Sequence, residues 1–111
     1  ENFAGALPLW LSPVQARVIP VSQQHDDYAK RTAERMKEAG IRAEADLRNE
    51  KMGYKIRAAQ IEKIPYMFIV GEKEAASDTV SVRKRGEGDI GAKPVDETIE
   101  LLLEEIRTRK V

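Results

Sequence analysis

Cysteine is absent from these 111 residues. Its absence excludes disulfides, thiolate catalysis and cysteine metal sites, and fits a reducing compartment without requiring one. Histidine is almost absent too, since His25 stands alone. In the first turn of an expected helix it reads as a solvent-facing residue, with no pattern of metal ligands around it. Net charge is missing as well, because nineteen lysines and arginines balance nineteen aspartates and glutamates. That removes the global basic signature of a nucleic-acid binder, so any such binding must come from local charge. No apolar run approaches the roughly 18 residues needed to span a bilayer, and no basic-then-apolar start marks a signal peptide. The common catalytic motifs are missing in turn. Ser12, Ser22, Ser77 and Ser81 lack a Gly-x-Ser-x-Gly context, and neither Gly-x-Gly-x-x-Gly nor Gly-x-x-x-x-Gly-Lys-Ser/Thr occurs. Gly86-Glu87-Gly88 imitates a phosphate loop but does not open a helix after a strand. Glu34 and Glu38 flank Lys37 at helical spacing, as on a solvated face. No catalytic residue and no metal site is expected in this chain.

What is present is one globular domain's worth of material. Hydrophobic residues make up 41% and charged residues 34%, enough to build a core rather than a disordered tail. Glu1–Pro13 is apolar but broken by Gly5, Pro8 and Pro13, and reads as a lead-in pinned by Phe3, Leu7, Leu9, Trp10 and Leu11. The chain opens on Glu1 without methionine, as expected of a piece of something longer. Gln15–Val21 is apolar on both faces, as a buried parallel strand is, with Pro20 marking its end or a bulge. Ser22 is the expected cap of a helix running to Ala39, with an inward stripe of Tyr28, Ala29, Thr32, Ala33, Met36 and Ala39 and a stop at Gly40. Ile41–Leu47 is a second strand. Met52–Ile64 is a second helix with Met52, Ile56, Ala59 and Ile64 inward, halted by Pro65. Tyr66–Val70 is the central strand. Val80–Arg83 alternates and pairs with Tyr66–Val70 or with the chain from Arg85 onward, across a Gly71–Thr79 connection. Gly86, Gly88 and Gly91 suggest a flexible tip. Pro94 or Asp96 opens the last helix, with a seam of Val95, Ile99, Leu102, Leu103 and Ile106.

Strands alternating with helices imply right-handed crossovers and a mainly parallel sheet covered on both faces, with a late antiparallel edge. The expected class is α/β: three layers, with a mixed, mostly parallel five-stranded sheet and helices on both faces. Ligands of such sheets sit at the carboxyl ends of the strands. Asp46–Lys51 and Gly71–Glu74 both follow strands and so fall on that edge.

Local charge sharpens the picture. From Arg48 to Lys63 five bases face two acids, a local +3, whereas from Asp96 to Arg107 five acids face one base, a local −4. Side chains in and beyond the basic stretch suit recognition. Asn49 has a donor and an acceptor for a base edge. Arg83 has a fork for guanine or phosphate. Glu74 accepts from an exposed amino or imino group, and Tyr54 offers a ring to an unpaired base. Lys51, Lys55, Lys84 and Arg85 would attract phosphates without reading sequence. On residue type alone each has an ordinary reading beside it: Asn49 as a turn or cap, Arg83-Lys84-Arg85 as a solvated strand end, Tyr54 as core.

The chain also resembles a known family over nearly its whole length. The carrying motifs, in order, are Trp10-Leu11-Ser12-Pro13-Val14-Gln15, Ala39-Gly40-Ile41-Arg42, Ala45 to Lys51, Gly53-Tyr54-Lys55-Ile56-Arg57, Ile64-Pro65-Tyr66-Met67, Gly71-Glu72-Lys73-Glu74 and Val80 to Arg85. Together they are similar to the C-terminal anticodon-binding domain of threonyl-tRNA synthetases. Related domains occur in prolyl-, glycyl- and histidyl-tRNA synthetases and in the accessory subunit of mitochondrial DNA polymerase. The resemblance implies that residues 14–111 are an anticodon-binding domain and residues 1–13 a lead-in from a catalytic domain. It further implies that Asn49, Glu74 and Arg83 contact the second and third anticodon bases of threonine tRNA, with Lys51 and Arg57 beside them. The parent would be a cytoplasmic ligase that charges tRNA with threonine, using ATP, Mg²⁺ and Zn²⁺ in its catalytic domain. It would be a homodimer through that domain, leaving this chain by itself non-catalytic, without cofactor, off the membrane and monomeric. The rival class is a protein-interaction module of the same fold, as in the polymerase accessory subunit, and would call for a large exposed apolar patch. A flavodoxin-shaped nucleotide enzyme lacks its phosphate loop.

Overall fold

The apolar runs of the strands sort into two faces, and that sorting builds the domain. The computed structural model describes residues 7–109; Phe3 and the other residues of the lead-in before Leu7 lie outside them. The strands are β1 (Ala16–Pro20), β2 (Ala43–Ala45), β3 (Tyr66–Val70), β4 (Thr79–Lys84) and β5 (Gly88–Pro94). The helices are α1 (Asp26–Glu38), α2 (Met52–Ile61), α3 (Glu72–Ser77) and α4 (Val95–Arg107). One five-stranded sheet runs in the order β2-β1-β3-β4-β5. β1 pairs in parallel with β2 and β3; β4 is antiparallel to β3, and β5 to β4. Four of the five strands therefore point one way, and the expected mixed, mostly parallel sheet is present.

Successive side chains of a strand face opposite sides. Ala16 and Val18, then Tyr66, Phe68 and Val70, then Val80 and Val82, join Tyr28, Ala29, Ala33 and Met36 of α1 and Val95, Ile99 and Leu102 of α4 in the main core. Ile19 and Met67 face the other way, where Ala59 and Ile64 meet them with Met52 and Ile56 of α2 packed alongside. The three expected layers result: α1 and α4 on one face, α2 on the other.

Several local expectations are corrected. Ser22 makes no capping bond; a 3-10 turn at Gln23–His25 comes first, and α1 opens at Asp26. Ala39 is exposed beyond the end of α1, where Gly40 takes φ 101° and Ile41 N–H closes on Met36 O. α2 stops at Ile61 rather than Ile64, because Lys63 takes the left-handed position (φ 59°) and Ile64 N–H returns to Ala59 O. Of the expected lead-in anchors among the described residues, Leu9 is buried and Trp10 half-buried, whereas Leu7 and Leu11 are exposed. The Gly71–Thr79 connection contains a short helix, α3, with no buried residue. The glycine-rich tip is in fact strand β5: Gly86 and Gly88 make the turn, and Gly91 (φ 98°) sits where Ile90 bulges out of register with β4 and packs on the core.

The shortness of β2 has a cause outside β2. Its register with β1 sends Ala16 N–H to Arg42 O at 3.3 Å and Asp46 N–H to Val18 O at 2.9 Å. The next rung would send the N–H of residue 20 to Asp46 O, and residue 20 is proline. The ladder ends there, two residues before the expected Leu47.

Candidate nucleic-acid interface

The carboxyl ends of β1, β2 and β3 share one rim, with the loops at Val21–His25, Asp46–Lys51 and Gly71–Glu74 along it. The Asp46–Lys51 loop is held by its own acid. The Asp46 carboxylate accepts Arg48 Nε at 2.9 Å, Arg48 Nη2 at 2.6 Å and Arg48 backbone N–H at 3.3 Å. The Arg48 guanidinium in turn lies 5.3 Å over the ring of Tyr54 in the first turn of α2. Arg48 is thereby occupied, and Tyr54, 53% exposed, is not the core residue that tyrosine on a helix usually is.

Asn49 sits at the apex. Glu50 N–H closes on Arg48 O at 2.8 Å, making Asn49 the middle residue of a three-residue turn. Gln23 Nε2 donates to Asn49 Oδ1 at 3.0 Å, which orients the amide. The amide's two donors have no partner among the described residues. Lys51 and Arg57 are exposed, and their side chains likewise make no hydrogen bond or ion pair among them. Lys51 is the N-cap of α2, which has no capping side chain and no acid in its first turn. Unspent backbone N–H groups there suit an anionic group.

Glu74 accepts Gly71 N–H through Oε1 at 2.8 Å, leaving Oε2 unspent among the described residues. Arg83 does not share the rim. It pairs with Met67, near the start of β3, which puts it about 10 Å from the rim at ~3.3 Å per residue. Val80 and Val82 face the main core, so Ser81 and Arg83 lie on the α2 face, beyond the strands that α2 covers. Arg83 is half-buried and has no hydrogen bond or ion pair among the described residues. It shares a cavity of about 350 Å³ with Gln60 of α2 and Lys63 just beyond it. Arg57 lies one turn before Gln60, so α2 presents Arg57 toward the same face. The rim thus brings together Asn49, Lys51 and Glu74, and the adjoining face carries Arg57 and Arg83.

The residues expected to hold RNA backbone fare differently. Lys84 leans on Glu87 at 3.3 Å and lies 5.7 Å over the Tyr66 ring, on the opposite face from Arg83. Arg85 is spent on the chain itself, donating to Lys63 O at 2.7 Å and Leu7 O at 2.6 Å. Lys55 is 3% exposed, with Nζ donating to Asp46 O at 2.9 Å, so it lies outside any surface a phosphate can reach. The residues around Lys55 carry no sign of that burial; the only signal is Pro20, far from it in the chain.

The Asp46 carboxyl is held below the usual carboxylate range, first by its hydrogen bonds to Arg48, against the opposing effect of burial. A lowered folded pKa adds stability that is complete above about pH 4 and fades as pH falls through the folded value. Asp46→Asn should therefore flatten the loss of stability below about pH 4, read by urea unfolding at several pH values. An unchanged acid limb would mean the Asp46–Arg48 pair contributes nothing.

Comparison with known proteins places the chain in a family. The family model described as the anticodon binding domain matches residues 15–105. The chain is 51% identical over 109 residues to a threonine–tRNA ligase of Syntrophomonas wolfei, a match that covers 98% of this chain and 17% of that protein. It is 54% identical over 111 residues to a threonine–tRNA ligase of Chloroherpeton thalassium, covering 100% of this chain and 17% of the relative. The chain thus spans about a sixth of the length of these relatives. Among solved structures, the RNA binding domain of threonyl-tRNA synthetase from Cryptosporidium parvum superposes with a TM-score of 0.86 at 30% identity, covering 91% of this chain and 26% of that one.

Proposed function

We propose, from the premise that this chain belongs to the anticodon-binding domain family, that it reads the anticodon loop of threonine tRNA for a threonine–tRNA ligase. The observation that carries this reading is the set of polar groups left unspent, among the described residues, on one rim and the face beside it. They are the Asn49 amide donors, one Glu74 oxygen, and the cations of Lys51, Arg57 and Arg83. Arg17 and Arg35 show the opposite case, each spent on two acids, Glu44 with Glu62 and Asp78 with Asp96. Asn49 and Glu74 suit the edges of the second and third anticodon bases, and Arg83 a forked contact on the sheet face. Lys51 at the start of α2 suits the phosphate between splayed bases.

Binding energy gained at the anticodon then helps place the distant acceptor end in the ligase's active site, which raises charging of the correct tRNA alone. ATP, Mg²⁺, Zn²⁺ and the dimer contact belong in this proposal to the rest of the parent. The described residues hold no group of three or more His, Cys, Asp or Glu placed for a metal ion. The test is threonylation by the whole ligase of tRNA transcripts changed at the second anticodon base. The expected result is a fall in kcat/KM of at least about tenfold, as for one good base contact. An unchanged kcat/KM would sink the reading.

Gly53 offers a second check. It lies in the first turn of α2, and an added Cβ would meet nothing within 4 Å. The fold itself therefore gains nothing from glycine there. Gly53→Ala should raise stability by up to about 1 kcal/mol. It should weaken anticodon stem-loop binding severalfold, because Gly53 lies on the same stripe of α2 as Arg57. Equal or tighter RNA binding in this variant would show that the RNA backbone does not approach α2 here.

A further inference from the structure

We infer that Lys55 is a positioning residue for base reading: its buried ammonium stands in for the strand N–H that Pro20 lacks, and so fixes the loop that presents Asn49. This inference rests on the anticodon reading above. The rung arithmetic carries it. Arg42 O receives Ala16 N–H, and Asp46 N–H reaches Val18 O, so Asp46 O is the acceptor next in line for residue 20. Pro20 has nothing to donate. An unpaired buried carbonyl is costly, and in a chain at the end of its ladder the easy remedy is for the backbone to swing toward water. Lys55 removes that need by reaching out from the first turns of α2 and donating to Asp46 O at 2.9 Å.

The consequence reaches Asn49 in short steps. Asp46 is buried, and its carboxylate holds Arg48 by three bonds. Arg48 O accepts Glu50 N–H, which sets the turn around Asn49. Arg48 also lies over Tyr54, the residue beside Lys55 in sequence. The loop is thus tied to α2 at Asp46 O and at Arg48, and to the β1 loop through Gln23 at Asn49 itself. The ammonium lies close enough to the Asp46 carboxylate to favour its charged form as well. A methionine in its place keeps the stem's packing and loses both the donor and the charge.

The pairing with Pro20 supplies a test that no surface lysine would pass. Four chains are compared: wild type, Lys55→Met, Pro20→Ala and the double variant. Each is titrated with the threonine anticodon stem-loop and a second-base-changed loop at two salt concentrations. Hydrogen exchange of the Glu50 amide is followed alongside. Lys55→Met is expected to lose about tenfold of the preference for the matched loop, with an unchanged salt slope and faster exchange at Glu50. The double variant is expected to recover most of the preference and the protection, because residue 20 now offers an N–H to Asp46 O. If Lys55→Met does not melt cooperatively, recovery of a cooperative melt in the double variant gives the same support. A double variant no better than Lys55→Met in preference, exchange and melting overturns the inference. So does a Lys55→Met chain that keeps its preference while its salt slope drops by about one, the mark of a phosphate contact. If wild type itself shows no preference, the anticodon reading fails, and Glu50 exchange still decides whether Lys55 fixes the loop.

Discussion

Arg83→Ala should lose roughly tenfold to a hundredfold in affinity for the matched anticodon stem-loop and most of its preference over a second-base change. The guanidinium is rigid and forked, and a good bidentate contact to a base edge is worth about 1–3 kcal/mol of discrimination. Arg83 has the setting that makes such a contact selective. It is half-buried on the open face of β4 and makes no hydrogen bond or ion pair among the described residues. The domain should melt within about 0.5 kcal/mol of wild type, since nothing internal is broken. Lys84→Ala provides the contrast. Its ammonium already leans on Glu87 and on the Tyr66 ring, so its loss should weaken every RNA slightly and alike. Titration of both variants with both loops separates the two behaviours. Equal weakening toward matched and changed loops in Arg83→Ala would reassign Arg83 to the backbone.

Phe68→Ala should cost about 3–5 kcal/mol, a large part of the roughly 5–15 kcal/mol that holds a domain of this size. Phe68 is 0% exposed. It lies on the central strand between Val18 of β1 and Val82 of β4 in register, and its ring stacks on Tyr66 with centroids 6.0 Å apart. Helices α1 and α4 close over that face, so neither neighbour can fall into the gap without moving a helix. Urea unfolding reads the loss directly. A cost below about 1 kcal/mol would mean that this core collapses freely around a missing ring.

The strong periodicities are legible in the order of the residues alone. Tyr66–Val70, the inward stripe of α1 as far as Met36 and the α4 seam each set apolar burial against a regular spacing, and burial decides their fate. α3 and β5 are not legible, for opposite reasons. α3 is six residues with nothing buried, so no apolar stripe marks it. β5 is an edge strand whose glycines serve a turn and a bulge, and glycine reads as irregular chain until the partner strand is known. The site divides in the same way. Asn49 and Glu74 are readable as polar side chains just past strand ends, which is a local property. Arg83's place on the open face depends on strand register. The burial of Lys55 depends on a donor missing from β1, which no spacing around Lys55 reveals. Lysine at the start of a helix reads as solvated because it usually is.

The most direct measurement is a titration of this chain with two anticodon stem-loops, one with the threonine anticodon and one changed at its second base, at two salt concentrations. Base reading predicts tighter binding to the threonine loop, with a preference that persists when higher salt weakens both. Equal binding that vanishes with salt would contradict the account, leaving only a surface that holds RNA backbone.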